Sequence, residues 1–349
     1  MVDTTSGRAF IGSFTSAGGR GIIAATVDAG TGALSPTGAT DALADPSYLA
    51  LAPTATGPVL YAVSEATEGA VAAFDIGGAA PSPLGDPVPV GGAGPTHLAV
   101  HGRRLLTANY GSGSVSVLPL ADDGSVGAAE AVLPHQGSGP DADRQLGPHA
   151  HQVVPAPGGR WVLAVDLGTD SVHVYARDPG TGGLVRHGET ALRPGTGPRH
   201  LAFHPAGSHV YVLNELEPTL TVCRWDAATG GLDPVGETPV LPDGAAGPAY
   251  PSEVVVAPDG RYLWVANRGH DSIAVLALDP DGERAVLRTT VPCGGHWPRD
   301  LALDPAGRRL YAANERSGNV SWFTIEPGTG TPRWAGSLDA PAASCVIFT

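Results

Sequence analysis

The sequence contains few cysteines and few basic residues. Its three cysteines, Cys223, Cys293 and Cys345, are odd in number and far apart. Neither a disulfide framework nor a thiolate zinc site is therefore expected, and a reducing compartment is favoured. Lysine and arginine total 20 against 34 acidic residues, which gives a net charge of −14. This balance argues against nucleic acids and anionic membranes as partners, because clustered basic residues bind their phosphates.

Long hydrophobic runs are also absent. No run approaches the roughly 18 apolar residues of a membrane span, and the segment 1–14 lacks the apolar core of a secretion signal. We therefore expect a cytoplasmic protein. Hydrophobic residues nevertheless make up 42% of the 349 residues, which argues against disorder. The 49 glycines and 33 prolines separate short apolar runs, a pattern typical of many strands joined by turns.

The short apolar runs belong to an internal repeat of about 50 residues. Each unit opens with a proline and an apolar strand, and continues with a second strand that ends in a small polar residue, such as Val162–Asp166. An alternating strand, such as Ser272–Leu276, and a weaker fourth strand follow. The opening prolines are Pro46, Pro95, Pro148, Pro198, Pro251, Pro298 and Pro341. Four strands per unit, without a long amphipathic helix, indicate a β-propeller blade.

Seven units predict an all-β fold, a seven-bladed β-propeller with four antiparallel strands per blade. We expect one domain over residues 1–349. Only a short segment remains after Pro341. The C-terminal strand at 343–348 is therefore expected to complete a blade begun by the N-terminal strands from Ala9, which closes the ring and removes exposed sheet edges.

Two repeat positions carry bulky polar residues in some units only. The first strand of each propeller blade lines the central channel, and loops at one channel end form the usual binding site. Directly after the opening proline, His149, Arg199 and Arg299 stand where four other units have small residues. At the position just past the second strand of each unit, Glu215 and Arg268 are among the charged residues. Surface ion pairs of little energetic value are the alternative interpretation of each.

The segment from Arg144 to His151 concentrates polar groups. It contains Arg144, Gln145, His149 and His151. Side chains two residues apart on a strand share a face. A nearby positive charge lowers the pKa of a histidine, so one imidazole can stay neutral as a base while arginine binds an anion. His-x-His can also bind a metal, but no third ligand is identifiable, and we expect no metal or other cofactor.

The other histidines carry less information. His97 and His200 precede a Leu-Ala pair in their strands and are interpreted as interior residues. Four more are expected in turns or at solvent-facing positions: His173, His187, His204 and His209. The Ser, Asn or Asp that ends each second strand is expected to form hydrogen bonds within its hairpin.

Three segments resemble a known family. They are Gly-Pro-x-x-x-Arg-Gln-x-x-Pro-His-Ala-His at 139–151, Gly-Pro-Arg-His-Leu-Ala-Phe-His-Pro from Gly197 with Asn214-Glu215, and Val-Ala-Asn-Arg-Gly-His-Asp-Ser-Ile-Ala-Val at 265–275. They resemble the lactonase family of seven-bladed propellers, which includes cycloisomerase-type 6-phosphogluconolactonases and a fungal muconate-lactonizing enzyme. The likeness covers essentially the whole chain. It implies hydrolysis of a sugar lactone, most often 6-phosphogluconolactone to 6-phosphogluconate, or lactone-forming isomerisation in the fungal branch.

The resemblance also implies catalytic residues at the channel mouth, namely a histidine, two arginines and a glutamate. By motif position these are His149 or its neighbour His151, together with Arg199, Arg268 and Glu215. Glu215 or His149 would remove a proton from the attacking water. Arg199 or Arg268 would stabilise the oxyanion.

Substrate binding is predicted for Arg144, Gln145, His151 and Arg299, and the partner is a small sugar lactone, anionic in the favoured case. An unphosphorylated sugar or organic-acid lactone remains open, acted on by a lactonase or a lactonizing isomerase. Two other functions also remain open. A metal-dependent lactonase of the six-bladed type is disfavoured by the seven units. A non-catalytic propeller that binds a protein or peptide is disfavoured by an aromatic content of only 6%. The sequence does not indicate an oligomeric state.

Overall fold

The chain forms seven antiparallel sheets in the computed structural model, which describes residues 7–55 and 57–349. Apart from one short 3-10 helix, Thr15–Ala17, the regular elements of the described residues are strands. The prediction of an all-β, seven-bladed propeller is confirmed. The first six residues of segment 1–14 lie outside the described part. No helix in that part is long and apolar enough to cross a membrane.

The strands are numbered β1 to β29 along the chain, and each blade is given from its innermost strand outward. Blade 1 contains β29 (Ala343–Phe348), β1 (Gly7–Ser13), β2 (Ile22–Val27) and β3 (Leu34–Thr40). Blade 2 contains β4 (Leu49–Thr54), β5 (Gly57–Ser64), β6 (Ala70–Asp75) and the two short pieces β7 (Ser82–Pro83) and β8 (Val88–Pro89). Blade 3 contains β9 (Pro95–His101), β10 (Arg104–Asn109), β11 (Ser114–Pro119) and β12 (Ala131–Pro134).

The other four blades have the same order. Blade 4 contains β13 (Ala150–Pro155), β14 (Trp161–Asp166), β15 (Ser171–Arg177) and β16 (Leu184–Ala191). Blade 5 contains β17 (Pro198–Phe203), β18 (His209–Asn214), β19 (Thr219–Asp226) and β20 (Gly231–Pro239). Blade 6 contains β21 (Tyr250–Val256), β22 (Tyr262–Arg268), β23 (Ser272–Leu278) and β24 (Ala285–Pro292). Blade 7 contains β25 (Pro298–Leu303), β26 (Arg309–Asn314), β27 (Asn319–Ile325) and β28 (Pro332–Asp339).

Blade 1 joins the two ends of the described chain. Strand β1 pairs antiparallel with β29, and Ile11 lies opposite Val346. The backbone N–H of Thr349 donates to the carbonyl of Arg8 at 3.0 Å. The predicted shared blade is therefore confirmed, and its pairing leaves β1 without an open edge.

The hydrophobic core lies between neighbouring blades. Strand β14 is buried along its whole length, and its Leu163 and Val165 belong to one apolar cluster with Val210 and Val212 of β18. A strand covered on both faces reads as a continuous apolar run in the sequence. This packing explains why the second strands give the clearest repeat signal.

Tyrosine hydroxyl groups on second strands also connect neighbouring blades at three junctions. The Tyr61 hydroxyl donates to the Gly124 carbonyl at 2.9 Å, and the Tyr211 hydroxyl to the Gly282 carbonyl at 2.8 Å. The same bond closes the ring, because the Tyr311 hydroxyl of blade 7 donates to the Gly32 carbonyl of blade 1 at 2.8 Å.

The central channel has two different ends. The innermost strands begin at one end, which we call the mouth, so the residues around their opening prolines meet there. At the other end lies a cavity of about 350 Å³, whose lining includes Tyr48, His97, Gln152, Glu253 and Asp300.

Candidate active site

A buried carboxylate lies at the centre of the mouth. Glu215 directly follows β18 and is 4% exposed. Its Oε2 lies 3.1 Å from Nε of Arg199 and 2.7 Å from a terminal nitrogen of Arg268, and its Oε1 lies 2.8 Å from Arg144. Four predicted site residues from blades 4, 5 and 6 thus form one cluster, in which three guanidinium groups share one carboxylate.

The charges of this cluster set its ionisation. Burial opposes the ionisation of Glu215, but the charges of Arg268, Arg199 and Arg144 outweigh it and lower the pKa of Glu215 to about 2. Burial and the neighbouring Arg268 lower the pKa of Arg199 to about 9, so Arg199 is still charged at neutral pH. One negative and three positive charges leave an excess of positive charge. In a protein with a net charge of −14, this is the local condition for binding an anion.

Arg144 reaches the cluster from the loop before β13, and Gln145 holds that loop. The Gln145 side chain is fully buried. Its amide nitrogen donates to the Leu167 carbonyl at 2.8 Å, and its amide oxygen accepts from the backbone N–H of Asp141 at 3.1 Å. The prediction that Gln145 binds substrate stays a prediction. Both ends of its amide are used to shape the loop that carries Arg144.

His149 is half-buried beside the same loop. Its Nδ1 donates to the backbone carbonyl of Tyr110 at 2.8 Å, and its ring stacks on the Tyr110 ring with centroids 4.4 Å apart. Because Nδ1 carries the proton of the neutral ring, Nε2 has a free lone pair. The Tyr110 hydroxyl also accepts a hydrogen bond from Arg144 at 3.3 Å. Tyr110 therefore places the imidazole and the arginine on one side of the mouth.

His151 lies deeper than His149 and belongs to a buried layer across the channel. Burial, and then the charge of Arg199, lower the pKa of His151 well below its usual range. Its ring centroid lies 5.1 Å from that of His200, and His200 lies 5.6 Å from His97. The prediction that His97 and His200 are interior residues is confirmed by their burial. Neutral imidazoles in this layer keep further positive charge away from the arginines.

Two buried carboxyl groups complete that layer. Glu253 Oε2 lies 2.8 Å from Nδ1 of His200, and Glu253 shares a hydrogen bond with Asp300. Burial raises the pKa of Glu253 to about 7. Burial, and then the charge of Glu253, raise the pKa of Asp300 well above its usual range. Burial and mutual repulsion thus both favour the protonated form of this pair, as in carboxyl groups that share a site.

A second buried cluster supports His149 from behind. Asp166 Oδ1 accepts the backbone N–H of His149 at 2.8 Å, and its Oδ2 accepts from Nδ1 of His135 at 2.6 Å. His135 Nε2 accepts from the Tyr175 hydroxyl at 2.8 Å. His173 stacks on His135, and their ligand atoms and that of Asp166 are close enough for a metal ion. However, both nitrogens of His135 already form hydrogen bonds, and the in-plane lone pairs of two stacked rings lie in nearly parallel planes and do not converge on one ion. The cluster is therefore interpreted as a structural support for His149.

The expectation that four histidines face turns or solvent is only partly correct. His187 is exposed. His173, His204 and His209 are buried. His173 stacks on His135, and His204 contacts the Gly260 carbonyl of the neighbouring blade.

Arg299 lies at the mouth but has its own acidic partners. It lies 3.3 Å from Glu65 and 3.3 Å from Glu315, and its guanidinium lies over the Phe14 ring at 4.8 Å. Two carboxylates leave this arginine less free to hold a substrate anion than its sequence position suggests.

A family comparison covers nearly the whole chain. The model of the family described as lactonase, 7-bladed beta-propeller, matches residues 8–348. This chain belongs to that family. It is 33% identical to the 6-phosphogluconolactonase of Bacillus subtilis over 97% of either chain. The prediction of a lactonase-type enzyme is confirmed.

Solved structures support the same family assignment. The periplasmic gluconolactonase of Pseudomonas aeruginosa superposes with a TM-score of 0.91 at 28% identity over 99% of both chains. A protein from Lactobacillus plantarum gives 0.92 at 29% identity, with 99% of this chain and 100% of that chain covered.

Two further positions of the repeat in this lactonase-family propeller carry residues of the site. Two residues after the opening proline, the column contains the whole channel layer except His151: Tyr48, His97, His200, Glu253 and Asp300. Directly before the proline it contains glycine in three units and bulky aromatic residues in two, Tyr250 and Trp297. By contrast, no repeat column marks the partnership of His135 with Asp166.

Proposed function

We propose that this protein hydrolyses a phosphorylated sugar lactone, with conversion of 6-phosphogluconolactone to 6-phosphogluconate as the favoured reaction. One observation carries the proposal. The hydrogen bond from His149 to the Tyr110 carbonyl leaves Nε2 available as a base, at the mouth where three arginines share one carboxylate.

The first step is addition of water to the lactone carbonyl. His149 Nε2 takes a proton as the water oxygen bonds to the carbonyl carbon, a contribution of about 10²–10⁴-fold for a positioned base. The carbonyl π electrons move to oxygen, and an arginine of the cluster stabilises this oxyanion. Fixed donors of this kind contribute on the order of a few kcal/mol.

The second step opens the ring. The oxyanion re-forms the carbonyl, the bond between that carbon and the ring oxygen breaks, and the His149 imidazolium returns its proton to the departing oxygen. The product is a hydroxy acid, which ionises at neutral pH and releases one proton. One water is consumed and the histidine is regenerated.

Glu215 acts as a positioning group in this scheme. A carboxylate whose pKa is about 2 is a weak base at neutral pH, because catalytic bases work best with a pKa near the operating pH. Its three ion pairs instead fix the directions of Arg144, Arg199 and Arg268. Between the two candidate bases from the sequence, the geometry favours His149.

An unphosphorylated lactone is the second candidate substrate. It is favoured by the similarity to a protein described as a periplasmic gluconolactonase. The two substrates differ by one dianionic group, so a comparison of their rates decides between them.

The test measures hydrolysis of freshly generated 6-phosphogluconolactone and of gluconolactone, each above the spontaneous rate. We expect faster, chelator-insensitive turnover of the phosphorylated lactone. His149→Gln should lower kcat about 10²–10⁴-fold. The matched control is His187→Gln, at an exposed outer-strand histidine, which should be fully active. A wild-type rate equal to the spontaneous one for both lactones would refute the proposal.

A further inference from the structure

Trp297 adopts a backbone conformation that bulky residues rarely take. Its φ is 64°, and the equivalent residues before Pro95 and Pro198 are Gly94 and Gly197, with φ of 55° and 58°. A side chain in this left-handed region costs roughly 1–2 kcal/mol, so a tryptophan there is notable. Its N–H donates to Oδ1 of Asp271 at 2.7 Å. The same bond, from Gly197 to Asp170, holds the glycine in blade 5.

The strained backbone places the indole ring beside the arginine cluster. The guanidinium carbon of Arg268 lies 5.6 Å from the Trp297 ring centre, and Tyr250, whose carbonyl accepts from Arg268 Nε at 3.0 Å, lies 6.0 Å from the ring. Backbone strain of this kind persists at functional sites, where the surrounding structure enforces it.

Arg316 lies over this ring. Its guanidinium carbon is 3.3 Å from the ring centre, and the residue is exposed. Stacking occupies the face of a guanidinium and leaves its in-plane N–H donors free. Among residues 7–55 and 57–349, no carboxylate forms an ion pair with Arg316, and its side chain makes no hydrogen bond.

Arg316 therefore differs from the other arginines of the mouth. Arg144, Arg199 and Arg268 share Glu215, and Arg299 is held between Glu65 and Glu315. The stack on Trp297 orients Arg316 without neutralising it. A guanidinium oriented in this way can bind an oxyanion through two parallel hydrogen bonds, at a lower ordering cost than a free surface arginine.

We propose that Arg316, supported by Trp297, is an outer anion subsite that binds the phosphate of the substrate, away from the lactone carbonyl. This inference rests on the proposed function. In this arrangement the inner arginines and His149 act on the carbonyl, and the outer arginine selects the phosphorylated substrate.

The primary test is calorimetric binding of 6-phosphogluconate and of gluconate, which requires no turnover. Wild type should bind 6-phosphogluconate more tightly. Arg316→Gln should weaken its binding about tenfold to a hundredfold, the usual effect of losing hydrogen bonds to a charged group, and leave gluconate unaffected. Arg308→Gln is the matched control, because Arg308 is exposed and lies at the opposite end of β26, so it should change neither affinity.

A double-mutant cycle tests the role of the ring. Trp297→Gly suits the positive φ and removes the support of Arg316. It should weaken 6-phosphogluconate binding as Arg316→Gln does, and the double variant should be hardly worse than either single one, because coupled residues are not additive. In hydrolysis, Arg316→Gln should raise KM for 6-phosphogluconolactone with little change in kcat.

Failure of this inference is distinguishable from failure of the proposed function. If wild type does not discriminate the two acids, or Arg316→Gln weakens both equally, the subsite is refuted even if the lactone is hydrolysed. If Arg316→Gln selectively weakens 6-phosphogluconate binding but neither lactone is hydrolysed, the subsite is supported and the proposed reaction is refuted.

Discussion

The backbone carbonyl of Tyr110 accepts the Nδ1 proton of His149 at 2.8 Å, and the two rings are stacked. Replacement of Tyr110 by leucine preserves the carbonyl but removes the stacked ring. We expect kcat to fall about tenfold to a hundredfold, because a misplaced base loses most of its advantage. Tyr110→Phe keeps the stack and loses only the hydroxyl contact with Arg144, so its kcat should stay near the wild-type value. Equal kcat for the leucine and phenylalanine variants would contradict a positioning role.

Glu215 should stabilise the fold as well as the site. Glu215→Gln leaves three buried or half-buried guanidinium groups without their carboxylate, and we expect a loss of about 3–5 kcal/mol in the free energy of unfolding. Glu237→Gln, which removes a surface partner of Arg193, should cost no more than about 1 kcal/mol. Chemical denaturation measures both.

The cost of Glu215→Gln should depend on pH. The folded-state pKa of about 2 lies below the ordinary value of 4.5, so the stabilisation is complete above pH 4.5 and is lost as pH falls toward 2. The difference in melting temperature between wild type and variant should shrink over this interval. A difference that stays constant down to pH 2 would contradict the ion-pair assignment.

The carboxyl pair Glu253 and Asp300 should change the pH dependence of folding stability in the opposite direction. The pKa of Glu253 rises from 4.5 to about 7 in the folded state, so the folded protein binds more protons than the unfolded chain, and stability falls as pH rises. Wild type should lose stability between about pH 5 and pH 8. Asp300→Asn keeps an acceptor for the Val346 N–H and removes one titrating group, so its melting temperature should decline less steeply. Parallel slopes for the two proteins would refute the shared-proton assignment.

The blade junction that closes the ring should contribute about as much stability as an internal junction. Tyr311→Phe removes the bond from blade 7 to Gly32, and Tyr211→Phe removes its counterpart between blades 5 and 6. Each change should cost about 1 kcal/mol in urea unfolding. A much larger loss at Tyr311 would show that the closing junction carries more stability than an internal one.

The repeat explains how much of this structure could be predicted. An opening proline and a largely buried second strand recur in every blade, so the sequence predicts the blade number and the shared terminal blade. The mouth residues can also be predicted from the repeat, because Arg199 and Glu215 occupy positions that symmetry brings to one end. Individual side-chain contacts cannot be predicted from it. The amide of Gln145 is used to hold its loop against Leu167, and the stacking of Arg316 on Trp297 depends on side-chain directions at two loops of one blade.

The arginines, His149 and the Trp297 stack come from four consecutive blades, 4 to 7, and no two adjacent blades hold all of them. Their relative distances depend on the angular alignment of the blades, so a small rotation at one junction displaces a guanidinium from its carboxylate while every sheet remains intact. Turnover is therefore sensitive to that alignment. Mild denaturant should abolish turnover before the spectroscopic signal of the β-sheets changes.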